Sequence, residues 1–198
     1  MKLGLISDIH GHINALTTAL KLLADLGAEQ ILCLGDMVQP DTDSIPVLNI
    51  IRHNDILTVF GNHEQDVINQ QSMQPTLDED TLTFLTDLPF SRTVSLEGKI
   101  IYMTHASPWD ESRGLYFRHP QSYQRAAAQT KADIVLVGHT HAAGHVQFDK
   151  THFYNPGAVW DSNSGRIGTC ALLTLPDQLF EVFSLASGER LSFSLVVD

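Results

Sequence analysis

The first two thirds of the chain alternates short apolar runs with segments whose apolar residues recur every three or four positions. "KLGLIS" (2–7), "QILCLG" (30–35), "ILTVFG" (56–61), "KIIYMTH" (99–105) and "DIVLVGH" (133–139) are too brief for helices and read as strands. Residues 12–26 place Ile13, Leu16, Ala19, Leu20 and Leu23 on one face, a helix expected to end at Gly27. Further helices are expected over 43–52 and over "SYQRAAAQTK", with less regular helix in the polar stretch 63–87. After about residue 144 the pattern changes. "HVQF", "HFYN", "TCALLTL", "LFEVFSL" and "LSFSLVV" are separated by the turn-like "DK", "PDQ" and "ASGE", as in consecutive antiparallel strands. Alternating strand and helix followed by such a meander predicts two packed sheets with helices outside.

The chain has 198 residues and no repeat, low-complexity tract or long linker, so residues 1–198 are expected to form one domain. Its 43% hydrophobic and 18% charged content is that of a globular protein. A formal net charge of −11 argues against a basic surface that grips long nucleic acid. It leaves room for a compact phosphorylated substrate, because bound cations reverse the local field. Cys33 and Cys170 each lie inside an apolar run and read as buried free thiols. "MKLGLISDIHGH" is too short before its polar groups for a signal-peptide core or a membrane span, and the protein is expected in the cytoplasm. The oligomeric state is left open, a homo-oligomer included.

The ends of the five apolar runs carry the chemistry. They stop at Asp8-Ile9-His10, at Gly35-Asp36, at Gly61-Asn62-His63, at Thr104-His105, and at Gly138-His139-Thr140-His141. His139 and His141 stand two apart, so in extended chain both rings face one point. In open α/β sheets, ligand groups collect beyond the carboxyl ends of the strands, so these residues should converge. Gly35, Gly61 and Gly138 precede the polar groups where the chain must leave the sheet sharply. Taken singly, a strand-end Asp is a helix cap, a His a satisfied surface or core residue, and Asn62 a turn former. All five ends agreeing points instead to divalent metal. Aspartate, histidine and amide donors without thiolate favour Mn, with Fe, Zn or Ni also compatible. Seven candidates, Asp8, His10, Asp36, Asn62, His105, His139 and His141, exceed one ion's needs and suit two ions about 3.5–4 Å apart. One carboxylate should bridge the two.

The blocks "SDIHGH" (7–12), "LGDMV" (34–38), "FGNHEQ" (60–65), "MTHASP" (103–108) and "VGHTH" (137–141) resemble those of the calcineurin-like metallophosphoesterases. "YNPGAV" (154–159) is similar to a segment of the small bacterial-type phosphodiesterase branch. The resemblance implies a four-layer α/β/β/α sandwich with two mixed sheets and a two-metal centre. It implies that Asp8, His10, Asp36 and His141 hold one ion and that Asp36, Asn62, His105 and His139 hold the other. His63 would be the histidine that assists the leaving group while a hydroxide shared by the ions attacks phosphorus. The implied activity is hydrolysis of a small phosphate ester, most readily a diester. A phosphomonoesterase using the same centre and a non-catalytic interaction scaffold are the alternatives.

Four features depart from the family pattern. Glu64 stands where Asp is usual, so its hydrogen bond to His63 is expected to be weaker or shifted. Ala106 and Ala158 replace a common Gly and Ser, and "MVQPDTD" after Asp36 is poor in glycine. Arg113, Arg118 and His119 lie in "SPWDESRGLYFRHP", which follows His105; either a phosphate clamp or plain solvent exposure fits them, with exposure the default. His12 reads as a capping or solvated residue, with substrate contact the alternative. His53 reads as a helix C-terminal cation and His145 and His152 as ordinary sheet residues; Trp109 and Trp160 read as packing residues, with flanking a nucleobase the alternative.

Overall fold

A computed structural model describes residues 1–73, 77–161, 165–192 and 196–197. In chain order the elements are β1 (Lys2–Ile6), α1 (Ile13–Asp25), β2 (Gln30–Cys33), α2 (Ile45–His53), β3 (Leu57–Thr58), α3 (Asn62–Met73), α4 (Glu79–Thr86), β4 (Ser91–Leu96) and β5 (Lys99–Thr104). They continue with α5 (Pro120–Thr130), β6 (Ile134–Leu136), β7 (Gly144–Phe148), β8 (Thr151–Asn155), β9 (Trp160–Asp161), β10 (Arg166–Ile167), β11 (Thr169–Thr174), β12 (Leu179–Ser184), β13 (Arg190–Leu191) and β14 (Val196–Val197).

Two six-stranded mixed sheets stack face to face, one ordered β13-β12-β11-β1-β2-β3 and the other β14-β7-β8-β6-β5-β4. β1, β2 and β3 are parallel in the first sheet, and β5, β6 and β8 are parallel in the second. Strand alternation decides which side chains meet between them. Leu3 and Leu5 of β1, Leu32 of β2, Ile101 and Met103 of β5, Ile134 and Leu136 of β6 and Tyr154 of β8 form the inter-sheet core. The opposite faces bind helices. Ile6, Cys33 and Leu172 pack against Leu16, Leu23, Leu48 and Ile51 of α1 and α2, while Val135 and Phe153 pack against Tyr123 and Ala126 of α5. The expected α/β/β/α layering is therefore observed, and Cys33 and Cys170 are buried free thiols.

α1 shows why the local pattern succeeds. Ala15, Leu16, Ala19 and Leu23 form its buried face, His12 Nδ1 accepts the N–H of Ala15 at 3.2 Å, and Gly27 takes the left-handed turn beyond its end at φ +80°. His53 is the last residue of α2, with Nδ1 2.6 Å from the carbonyl of Asn49, and Asn54 is the C-cap.

Two expectations change. The strand expected over 56–61 is regular only at Leu57–Thr58, because Val59 to Gly61 already turn toward the polar cluster. The segment after 144 is no single meander. β7 and β8 form a hairpin in the second sheet, and β11, β12 and β13 join the first as antiparallel strands on β1. Between them the chain crosses from one sheet to the other through the small β9–β10 hairpin. Among the described residues, no helix is long and apolar enough to cross a membrane.

Candidate metal centre

The five loops that leave the strands are stitched to one another by main-chain hydrogen bonds. Asp8 N–H donates to Gly35 O (3.1 Å), Ile9 and His10 N–H both donate to Asp36 O (2.8 and 3.0 Å), and Gly11 N–H donates to Met37 O (2.8 Å). Gly138 N–H donates to His105 O (2.7 Å), and His139 N–H donates to Asp8 Oδ2 (3.1 Å). His63 N–H donates to Asp36 Oδ1 (2.9 Å). Strand ends from both sheets thus reach one place.

All seven predicted ligand side chains converge there. Asp8 Oδ1 lies 3.2 Å from His141 Nε2 and 4.0 Å from His10 Nε2, and the two imidazole nitrogens are 3.2 Å apart. Asp36 Oδ2 lies 3.1 Å from His105 Nε2. Asn62 Oδ1 lies 2.9 Å from His139 Nδ1. His63 Nε2 is 4.0 Å from Asp36 Oδ2, and its ring meets that of His10 edge-on at 4.7 Å. Three overlapping groups result: Asp8–His10–His141, His10–Asp36–His63 and Asp36–His105–His139, with donor atoms in each within 4.8 Å of one another. Asp36 and His10 each belong to two of them.

This donor set fits divalent cations. Asp8 Oδ1 and His105 Nε2 are buried and lack a hydrogen-bond partner among the described residues, although each points into the cluster. A buried polar atom without a partner is costly unless something else satisfies it. Oxygen and imidazole nitrogen are the ligands that Mn, Fe and Zn accept, and both cysteines lie elsewhere.

The backbone is bent to make this convergence. Asp8, His10, Asp36, His139 and His141 all have left-handed φ, between +50° and +63°. Such conformations in non-glycine residues persist only where the surroundings enforce them, and they cluster at functional sites. The expectation that glycines supply the sharp exits is therefore only partly right. Gly35 has φ +89°, but Gly61 and Gly138 serve by being small: a Cβ on Gly138 would overlap Ser7 Oγ, and one on Gly61 would overlap Asp36 Oδ1. The ligands themselves carry most of the strain.

Charge in the cluster is finely divided. Burial works against ionising Asp36, yet the His105 imidazole beside it holds the carboxyl well below the usual carboxylate range. The same contact overcomes burial at His105 and pushes it up to about 10. Burial also opposes the charged form of His141, but Asp8 and Asp161 push it up to about 8. His10 goes the other way, lowered to about 4 chiefly by burial. His10 is thus a neutral donor at pH 7, whereas His105 and His141 hold protons that an arriving cation must displace.

A profile of the calcineurin-like phosphoesterase superfamily domain matches residues 1–178. The chain belongs to that superfamily. Membership brings divalent-metal-dependent phosphoester hydrolysis, and the cluster holds His and Asp groups that could bind a divalent ion. The chain is 24% identical to MJ0912 of Methanocaldococcus jannaschii over 82% of this chain and 78% of the relative. It is 26% identical to phosphodiesterase YfcE of Escherichia coli K12 over 87% of each. A metallophosphoesterase structure from Sphaerobacter thermophilus superposes with a TM-score of 0.73 at 20% identity, covering 98% of this chain and 90% of that one, which establishes the shared fold.

Against the superfamily pattern, Glu64 behaves differently from expectation. Its carboxylate does not orient His63. It is fully buried and accepts N–H groups from Gly61 (2.7 Å), Asp36 (2.9 Å), Met37 (2.7 Å) and Val38 (3.3 Å). The longer side chain reaches past His63 into the turn after β2 and staples it to the turn before α3. His63 Nδ1 has no hydrogen-bond partner among the described residues.

Asn155 lies in "YNPGAV", where its role is one of support. It donates through Nδ2 to Gly138 O (2.8 Å) and Thr140 Oγ1 (3.1 Å), and its Oδ1 accepts Gly157 N–H (2.8 Å). It pins the turn that carries His139 and His141. Asp161 was missed altogether; its Oδ1 lies 3.2 Å from His141 Nδ1. Nothing local marks either residue, because both act across the fold.

The remaining candidates separate cleanly. Arg113 is 82% exposed at its side chain and pairs loosely with Asp110 (3.8 Å). Arg118 and His119 are also exposed, so the structure gives none of the three a contact with the cluster. The loop that bears them does touch it, since a Cβ on Gly114 would press on His139 and Thr140. Trp109 lies under Arg125, whose guanidinium is 3.9 Å from the ring centroid, and Trp160 stacks on His12 at 3.7 Å. His145 and His152 sit on β7 and β8, bonded to one another at 2.9 Å.

Proposed function

We propose that this protein hydrolyses a small phosphodiester with two divalent ions, Mn foremost, held by Asp8, His10, Asp36 and His141 on one side and by Asp36, Asn62, His105 and His139 on the other. The observation that carries this reading is the convergence of these seven side chains, with Asp8 Oδ1 and His105 Nε2 buried and without a hydrogen bond, each only within ion-pair reach, of His141 Nε2 (3.2 Å) and of Asp36 Oδ2 (3.1 Å) respectively. Donors of this kind in excess of one ion's coordination suit a pair sharing Asp36. The diester preference rests on the relative named as a phosphodiesterase.

When bound, two such ions would supply a water of lowered pKa and a share of the charge that develops on the phosphoryl oxygens. The chain's own residues do the rest. The stitched turns hold the donors in place before substrate arrives, so little reorganisation is needed in the transition state. Asp36 keeps its negative charge between the two donor groups. His63, 28% exposed at its side chain with Nε2 4.0 Å from Asp36 Oδ2, gives a proton to the departing oxygen. A net charge of −11 argues against a basic track for long nucleic acid and fits a compact substrate drawn to local positive charge.

The test is to strip the purified protein with chelator, add Mn, Ni, Zn or Mg singly, and compare a bis-aryl with a mono-aryl phosphate. Restored turnover with preference for the diester is expected. Restored turnover with preference for the monoester would replace this reading by a phosphomonoesterase. Stoichiometric metal without turnover of either would leave only a metal-bearing scaffold.

A further inference from the structure

After Asn155 the chain turns at Gly157 (φ +78°) and comes back alongside the exit of β1. Val159 N–H donates to Ser7 O (2.9 Å) and Trp160 N–H donates to Asp8 O (3.1 Å), so this segment pairs with the exit of β1. Trp160 stacks on the His12 ring with the planes 15° apart, which fixes the hairpin against the start of α1. The next residue, Asp161, is thereby planted beside the metal cluster, with Oδ1 3.2 Å from His141 Nδ1.

That contact decides which nitrogen of His141 carries its proton. With a carboxylate at Nδ1, the proton that remains once a cation has displaced the one at Nε2 resides there, and Nε2, 3.2 Å from Asp8 Oδ1, is left free to ligate. The other half of the cluster is built differently. His105 Nδ1 faces the neutral carbonyl of Leu34 at 2.7 Å, while the Asn62 oxygen 2.9 Å from His139 Nδ1 belongs to a candidate ligand of the same ion and lies on the metal side of that ring. Of His105 and His141, only His141 has a carboxylate behind it, and a carboxylate makes an imidazole the stronger donor.

We infer that Asp161 is a positioning residue that serves one ion position only, the one formed by Asp8, His10, Asp36 and His141. It fixes the tautomer and ring orientation of His141 and strengthens it as a ligand, and the position at His105 and His139 is independent of it. The inference rests on the two-ion reading above and adds an inequality between the two positions.

Titrating Mn into the metal-free full-length protein tests this without any substrate, with calorimetry for the steps and electron paramagnetic resonance for coupling between ions. The wild type should take up two ions and show a coupled pair. Asp161→Asn, which keeps the shape and removes the charge, should bind one ion as before and the second about 10–100-fold more weakly. The spectrum should then revert to that of isolated Mn at intermediate loading. Asp161→Glu should recover part of the second step, and it stands in if the amide variant folds poorly. Melting of the metal-free variants within a few degrees of wild type separates positioning from general damage. Two unchanged steps in Asp161→Asn, or an equal fall in both, would overturn the inference. A wild type with two Mn steps but no ester turnover would sink the proposed activity and leave the role of Asp161 standing. A wild type that binds a single ion would overturn both.

Discussion

Glu64 Oε2 accepts the backbone N–H of Asp36 at 2.9 Å, although 28 residues separate them. With Gly61, Met37 and Val38 on the same carboxylate, this one side chain ties the turn of the bridging candidate Asp36 to the turn that begins α3. The contact is one of shape and support, and it makes Glu64 part of the frame of the metal cluster.

Glu64→Gln leaves one acceptor oxygen for four converging N–H groups and points an amide donor at some of them. An unsatisfied buried group of this kind costs about 1–3 kcal/mol. Lower thermal stability and weaker metal uptake are expected together. Glu64→Asp, a methylene shorter, should fall short of the Met37 and Val38 N–H groups and behave similarly. Scanning calorimetry and metal titration check both. Unchanged melting and metal uptake, with only kcat reduced, would show instead that Glu64 acts on His63.

His63 and Asp36 touch through a main-chain N–H, but different losses are expected on their removal. Asp36→Ala removes a carboxylate shared by both donor groups and should abolish stoichiometric metal. His63→Ala should keep the metal and lose about 10²–10⁴-fold in kcat, the range of a general acid. Metal analysis beside steady-state kinetics separates the two. Equal metal loss in both variants would make His63 a ligand, a role that its place in the His10–Asp36–His63 group permits sterically.

The protonation pattern gives the sign of the pH dependence. His141, raised to about 8, and His105, raised to about 10, each hold a proton in the metal-free protein at pH 7. Both folded values lie above the unfolded histidine value of about 6.5. Their contribution to metal-free stability is therefore fully present below about pH 6.5 and lost as pH rises through about 8 and then about 10. Metal uptake runs the opposite way, because a cation must displace those protons. Mn affinity should rise from pH 6 to pH 9, with proton release detectable from heats measured in buffers of different ionisation enthalpy. A flat affinity over that range would mean that uptake displaces no proton from these two imidazoles.

How far the chain could be read depended on whether a feature is local. The ligands stood out because each closes an apolar run, and the type of residue at a strand end is visible in a few positions. The layering followed from the same runs, with Leu3 and Leu5 alternating against Ile6 on β1. β4 was not anticipated: "SRTVSL" is a half-exposed edge strand with no continuous apolar stretch to announce it. The split of the later strands between two sheets was also hidden, since adjacent hairpins look alike whichever sheet receives them. Least visible were the supports. Glu64 reaches the turn after β2, and Asp161 reaches a histidine 20 residues earlier. Such contacts depend on tertiary approach, and no spacing rule in the chain encodes them.

Asn155 offers the sharpest test of that hidden support, because its bonds divide by chemistry. Two run from its amide Nδ2 to Gly138 O and Thr140 Oγ1, and one is accepted by Oδ1 from Gly157 N–H. Asn155→Asp keeps the acceptor but replaces the donor by an oxygen facing the carbonyl of Gly138. The buried carbonyl then loses its partner and meets a like charge, at a cost of about 1–3 kcal/mol. Asn155→Ala removes all three bonds without adding repulsion. If pinning the turn is what matters, both variants should lose stability, with the aspartate variant the less stable of the two. Both should also bind Mn more weakly, because His139 and His141 ride on that turn at left-handed φ and relax when it loosens. Chemical denaturation and Mn titration of the two proteins give both quantities. An aspartate variant as stable as wild type would show that the donor bonds to Gly138 and Thr140 contribute nothing, and that the strained turn is held by its other contacts to Asp8 and His105.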